Sequence, residues 1–131
     1  MKTFNKAISV IIEKTDTGFS AFCSDHPVYT TGGSIPELMD NAVEALCLYF
    51  EDQNRKIAHE NIKFEIDFQQ FFQYYKVINA RLLAGRIGMN PTLISQYVRG
   101  HKKPSAKQAE KIISGLHHIG RELAEIELIY K

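Results

Sequence analysis

The 131-residue sequence is poor in cysteine and has no long apolar run, and both shortages exclude classes of protein. Cys23 and Cys47 lie far apart and show no C-x-x-C or Cys/His spacing, so we predict two free thiols and no metal site. No stretch approaches the roughly 18 apolar residues of a membrane-spanning helix. The apolar stretch near the N-terminus is short and lacks a small-residue cleavage site, so we expect a cytoplasmic protein without a signal peptide or a membrane association.

Net charge is also scarce, because two oppositely charged parts of the sequence cancel to a formal +1. Residues 1–75 carry six Lys/Arg and eleven Asp/Glu, a balance of −5. Residues 76–131 carry ten Lys/Arg and four Asp/Glu, a balance of +6. Such asymmetry indicates two parts with different partners, and the basic part is the candidate for binding nucleic acid.

The first half of the sequence contains four strand patterns. β-Branched and apolar residues run over 7–14, 19–23 and 28–33, and the first two runs are joined by a turn that ends at Gly18. Residues 62–68 alternate between apolar and polar and predict a fourth strand. The apolar residues on one side of that strand are Ile62, Phe64, Ile66 and Phe68.

A helix is predicted between the third and fourth strands. Ser34 and Glu37 form a capping box that begins it. Its apolar face comprises Ile35, Leu38, Ala42, Leu46 and Tyr49, with Met39, Val43 and Phe50 beside them. From residue 69 the apolar period becomes helical throughout. We therefore predict an α+β protein with a β-β-β-α-β module over 1–68, followed by an all-α domain over 69–131.

Residues 79–99 have the pattern of a helix-turn-helix unit. Asn79 caps a first helix that Gly88 ends, and Asn90 caps a second helix that stops at Gly100. Such a unit needs a small residue where the helices cross, a left-handed residue at the turn and an apolar residue that locks the second helix. The residues predicted for these three structural roles are Ala84, Gly88 and Ile94.

The second helix of this unit is predicted to present polar side chains outward, because its apolar residues turn inward. These side chains suit base edges in a major groove, and the predicted base-contacting residues are Thr92, Ser95, Gln96 and Arg99. Basic and polar residues around the helix suit the DNA backbone. The predicted phosphate-contacting residues are Arg81, Arg86, Asn90, His101, Lys102, Lys103 and Lys107.

Residues 79–116 resemble the helix-turn-helix domain of the Cro/C1 (Xre) repressor class, including a G-x-x-x-P-S passage that here reads GHKKPS. That class often has a glutamine at the start of the first motif helix, whereas this chain has Ala80-Arg81. The resemblance implies binding to double-stranded operator DNA.

Residues 7–68 resemble the HicB antitoxin family. The shared features are the hairpin turn at Gly18, a G-x-S/T-x-x-E helix start over 32–37, and the aliphatic–Tyr–aromatic run over 48–50. The resemblance implies a partial RNase H-like fold that binds and blocks a small, basic, RNA-cleaving toxin. It also implies a homodimer or higher homo-oligomer that represses its own operon.

Three functions agree with these features. The first is a DNA-binding antitoxin of a type II toxin–antitoxin system that also represses its own operon. The second is a stand-alone helix-turn-helix transcriptional regulator that uses the HicB-like module for oligomerisation. The third is a protein-interaction module without DNA binding. The surfaces predicted for self-association are the edge of the fourth strand and the apolar stretch over 123–130.

An enzyme is not predicted. A nuclease on an RNase H-like module needs two to four carboxylates that converge on Mg²⁺. The first predicted strand carries no carboxylate at its middle, and Asp16 and Asp25 lie in predicted loops. We therefore predict no catalytic residue, no bound metal and no cofactor.

Overall fold

The structure is a computed structural model of the chain, and it describes residues 7–128. Within these residues the protein is mixed α+β, with a four-stranded sheet and five α-helices. The elements are β1 (Ile8–Thr15), β2 (Gly18–Cys23), β3 (Tyr29–Gly32), α1 (Ile35–Glu51), β4 (Ile62–Ile66), α2 (Phe68–Tyr74), α3 (Ala80–Ile87), α4 (Pro91–Val98) and α5 (Ala106–Ala124), with a 3₁₀ turn before β4. The chain divides into two compact units, of which the first ends at Phe71 and the second begins at Phe72.

The sheet of the first unit has the strand order β3-β2-β1-β4. β1 and β2 form an antiparallel hairpin that closes at the Thr15–Gly18 pair. β4 instead runs parallel to β1, with Ile8 opposite Ile62. Parallel neighbours need a long crossover connection, and the segment that contains α1 supplies it.

The core of the first unit lies between α1 and the sheet. Leu38, Leu46 and Phe50 of α1 are buried with Ile8 and Val10 of β1. Phe50 is fully buried, whereas Tyr49, which the sequence placed on the apolar face, is only partly buried. The inward face of α1 therefore follows a spacing of four residues, through Leu38, Ala42, Leu46 and Phe50.

The start of α1 is fixed by side-chain hydrogen bonds. The Ser34 hydroxyl accepts a bond from the Glu37 N–H at 3.3 Å, as the capping-box pattern predicts. The Glu37 carboxylate accepts a bond from the Gly33 N–H at 3.1 Å, one residue before the cap. The first bond satisfies a donor that the helix itself leaves without a partner, and the second ties the residue before the cap to the first turn.

The prediction that Phe68 belongs to the fourth strand is wrong. β4 ends at Ile66, and Phe68 is the first residue of α2. The Asp67 carboxylate accepts a hydrogen bond from the Gln70 N–H at 3.1 Å, and the Asp67 carbonyl accepts one from the Phe71 N–H at 2.9 Å. Asp67 thus starts a helix where the apolar alternation alone would continue the strand.

In the second unit, α3 packs against both α4 and α5. The buried residues of these helices are Leu83, Ala84, Ile94, Tyr97 and Ile112. Leu123 continues the apolar spacing of α5 beyond Ile112, but its side chain is 62% exposed. The last turn of α5 extends beyond the core of the unit.

The described parts of both surfaces predicted for self-association lie on the outside of their own unit. β4 is an edge strand of the sheet. Leu123, Ile126 and Leu128 are exposed, while Ile129 and Tyr130 lie outside the described residues. Across residues 7–128, no helix combines the length and the apolar character needed to cross a membrane.

Candidate nucleic-acid interface

The turn between α3 and α4 is built from backbone hydrogen bonds around a left-handed glycine. Gly88 has φ 69° and ψ 32°, and its N–H donates to the Ala84 carbonyl. The Met89 N–H donates to the same carbonyl at 2.8 Å. A side chain at Gly88 would strain this conformation, so glycine here allows α3 to end and α4 to begin within three residues.

The two helices are held together by a small residue and two large ones. Ala84 of α3 is completely buried, and Ile94 and Tyr97 of α4 are 1% and 4% exposed. The Asn90 side chain accepts a hydrogen bond from the Thr92 N–H at 2.8 Å, and Pro91 occupies the first turn of α4. The start and the inward face of α4 are therefore both fixed.

The outward face of α4 is polar. Thr92, Gln96 and Arg99 are exposed, whereas Ser95 is half-buried. These positions share a face of the helix because residues three and four apart lie above one another. The face offers a hydroxyl, an amide and a guanidinium, which are groups that can pair with the edges of bases.

The chain turns sharply where α4 ends, so basic residues follow the helix at once. Gly100 has φ 75°, and the Gln96 carbonyl accepts hydrogen bonds from the N–H groups of His101 and Lys102 at 2.9 and 3.3 Å. The side chains of His101, Lys102 and Lys103 are all exposed. Arg81 and Lys107, on α3 and α5, are exposed as well.

Asn90 and Arg86, both predicted to contact phosphate, form hydrogen bonds within the protein. The Asn90 carboxamide oxygen caps α4, as described above. The Arg86 guanidinium forms an ion pair with Glu122 of α5, which is 36 residues away. The pKa of Glu122 is lowered from its ordinary value, chiefly by the hydrogen bond from Arg86 and further by its charge and by His118. No local pattern in the sequence indicates this pair.

A second charged surface lies on the first unit. We call it the acidic face of α1, and it consists of the exposed residues Asp40, Glu44, Leu48 and Glu51. It is opposite the inward face of the helix, and α1 contains four carboxylates and no Lys or Arg. Such a surface attracts cationic partners and repels nucleic acid.

No set of three or more His, Cys, Asp or Glu residues is grouped to hold a metal ion in the part of the chain that the structure describes. Comparisons with known protein families and with curated proteins find no match to the chain. Its function is therefore inferred from the residues and the geometry above.

Proposed function

We propose that this chain is a DNA-binding antitoxin of a type II toxin–antitoxin system, which neutralises a small HicA-like RNA-cleaving toxin and represses its own operon. The observation that carries the DNA-binding part is the polar outward face of α4, held in place by the buried Ile94 and Tyr97. This face carries the amide of Gln96 and the guanidinium of Arg99, which are side-chain groups that pair with base edges.

In this proposal α4 lies in the major groove of double-stranded operator DNA. The Gln96 amide can donate to and accept from an adenine, and the Arg99 guanidinium can donate to both acceptors of a guanine. Lys102 and Lys103 follow the helix directly and contact phosphates. Because one such helix reads only a half-site, the DNA-binding form is a dimer or higher oligomer.

The DNA-binding part is tested with four single variants and a control. Gln96→Ala and Arg99→Ala should each weaken binding to the operator region by about 1–3 kcal/mol and relax its sequence preference, because each loses a base contact. Lys102→Ala and Lys103→Ala should weaken specific and non-specific binding alike and lower the salt slope by about one each. Fluorescence anisotropy at several salt concentrations measures both quantities.

Lys76→Ala is the matched control, since it removes an exposed cation outside the proposed interface. It should bind DNA like the parent chain. If all four interface variants also bind operator-region DNA like the parent, α4 is not the recognition helix.

The antitoxin part rests on the first unit. A β hairpin, a crossover helix and a parallel fourth strand support the partial RNase H-like arrangement that the resemblance to HicB antitoxins implies. The acidic face of α1 supports a basic partner, because complementary charge speeds association and suppresses wrong partners. A small RNA-cleaving toxin carries the positive charge that RNA binding requires.

The test of this part begins with the gene beside the one for this chain, which should encode a small basic protein. That protein should co-purify with the full chain, and the double variant Asp40→Asn/Glu44→Gln should weaken the complex about tenfold or more by removing two charges. The control variant Glu125→Gln/Glu127→Gln removes two exposed carboxylates near the end of the second unit and should leave the complex intact. Absence of such a gene and of such a complex would favour a stand-alone regulator.

A further inference from the structure

The second unit contains a groove of about 410 Å³ between α3 and α5. The apolar part of its lining includes Ile87 and Ile119, and the Ile87 side chain lies directly against Gly115. Its walls carry donors that suit an anion: Arg86, Lys111, Ser114, His118 and Arg121. Among the described residues that line it, none is acidic.

One oxyanion is already bound at the edge of this groove, and it belongs to the protein itself. The Glu122 carboxylate accepts from the Arg86 guanidinium through one oxygen, and its other oxygen lies 3.2 Å from Nε2 of His118. Donors from two helices therefore converge on one anionic group. All three side chains are about half exposed or more, so water and solutes reach this point.

The positive charges that line the groove outnumber the single negative charge of the Glu122 carboxylate. Arg86, Lys111 and Arg121 supply three permanent positive charges, against one negative charge from Glu122. The Lys111 ammonium donates to the Gly88 carbonyl at 3.3 Å, and it forms no ion pair with a carboxylate among residues 7–128. A second anion with about two negative charges would neutralise these three cations together with Glu122 and would accept hydrogen bonds from them.

We propose that this groove binds a phosphate group, for which Glu122 competes. Arg and Lys donors together with a Ser hydroxyl match the several acceptor oxygens of a tetrahedral phosphate. The group can belong to a small phosphorylated molecule or to a DNA backbone. A site for a small phosphorylated molecule requires neither DNA nor a toxin, whereas a site for a backbone phosphate rests on the DNA binding proposed above.

The test is a titration of the full chain with inorganic phosphate, followed by ¹H–¹⁵N NMR. Backbone amides of 111–121 should shift and saturate. The double variant Lys111→Ala/Arg121→Ala should lower the phosphate affinity about tenfold or more, because two charge-assisted donors are lost. The control Lys56→Ala/Lys76→Ala removes the same charge at exposed positions outside the groove and should change the affinity less than about twofold.

Glu122→Gln separates competition from a purely structural ion pair. If Glu122 occupies the place of the ligand, removing its charge should raise the phosphate affinity by about threefold to tenfold. Unchanged or weaker binding in this variant would contradict the proposal. So would shifts that never saturate, or an equal loss of affinity in the control variant.

A second titration with duplex DNA distinguishes the two sources of phosphate. If the duplex shifts the same amides of 111–121 and inorganic phosphate reverses those shifts, the groove holds a backbone phosphate. If the duplex leaves these amides unchanged while inorganic phosphate still saturates them, the ligand is a small phosphorylated molecule. Either result supports the phosphate site and identifies the molecule that carries the phosphate.

Discussion

Helices α1 and α4 begin in the same way but present opposite chemistry to solvent. Each has a side-chain cap, Ser34 or Asn90, followed by a proline in its first turn. Each buries an apolar face and exposes a polar one. The exposed face of α1 is acidic, whereas that of α4 carries an amide and a guanidinium and leads into a basic segment. The residues that cap and bury a helix therefore do not restrict its exposed residues, and the chemistry of the exposed residues determines which partner the helix can bind.

The two units also differ in how their cores are made. The first unit depends on pairing between distant strands, since β4 lies beside β1 with α1 between them in sequence. The second unit depends on packing between helices that follow one another in sequence, and α3 and α4 are only three residues apart. A protein with two such cores can present an acidic surface on one and a basic surface on the other, and still carry a net charge of +1.

The largest effect is expected when a core side chain of one unit is removed. This change tests whether the two units have separate cores. Phe50→Ala should destabilise the first unit by about 3–5 kcal/mol, because Phe50 is completely buried there. Hydrogen exchange should show lost protection in β1, β2 and α1 and retained protection in α3, α4 and α5. Tyr29→Ala, at a side chain that is 66% exposed, should have little effect. Simultaneous loss of protection in both units would show that they unfold as one.

Substitution of two glycines of α5 by alanine should change the free energy of unfolding less than Phe50→Ala does. These substitutions test how closely the helices of the second unit pack. A methyl group at Gly115 would collide with the Ile87 side chain of α3, so Gly115→Ala should destabilise the unit by about 1–3 kcal/mol. A methyl group at Gly120 would meet no atom within 4 Å, so Gly120→Ala should stabilise α5 by up to about 1 kcal/mol. Urea unfolding of both variants measures the difference in sign. Equal effects would mean that α3 and α5 do not approach so closely.

The smallest expected change in stability comes from breaking the ion pair between Arg86 and Glu122. Because Arg86 lowers the pKa of Glu122, this pair stabilises the second unit above the ordinary pKa of a glutamate. The stabilisation should be lost as the pH falls through the lowered pKa. The difference in urea stability between the parent and Glu122→Gln should therefore shrink on acidification from neutral pH. A difference that stays constant down to full protonation of the carboxylates would exclude this linkage.

Much of the fold could be predicted because its signals are local. The caps at Ser34, Asn79, Asn90 and Ser105 each accept a hydrogen bond from an N–H two or three residues onward. The conformation of Gly88 follows from its place between two short helical patterns. The end of β4 was missed because Phe68 fits the alternation of a strand, and only the cap at Asp67 reveals the helix.

Three properties follow from the amino-acid sequence alone: where the capped helices α1, α3 and α4 begin, which residues form most of their buried faces, and how charge divides between the two halves of the chain. The first two depend on residues within a turn or two of each other, and the third depends only on composition. Three other features are visible only in the tertiary structure: β4 pairs with β1 in parallel, Arg86 pairs with Glu122, and five donors line one groove. Those features join residues far apart in sequence, and their energies depend on distances that only the packed chain sets.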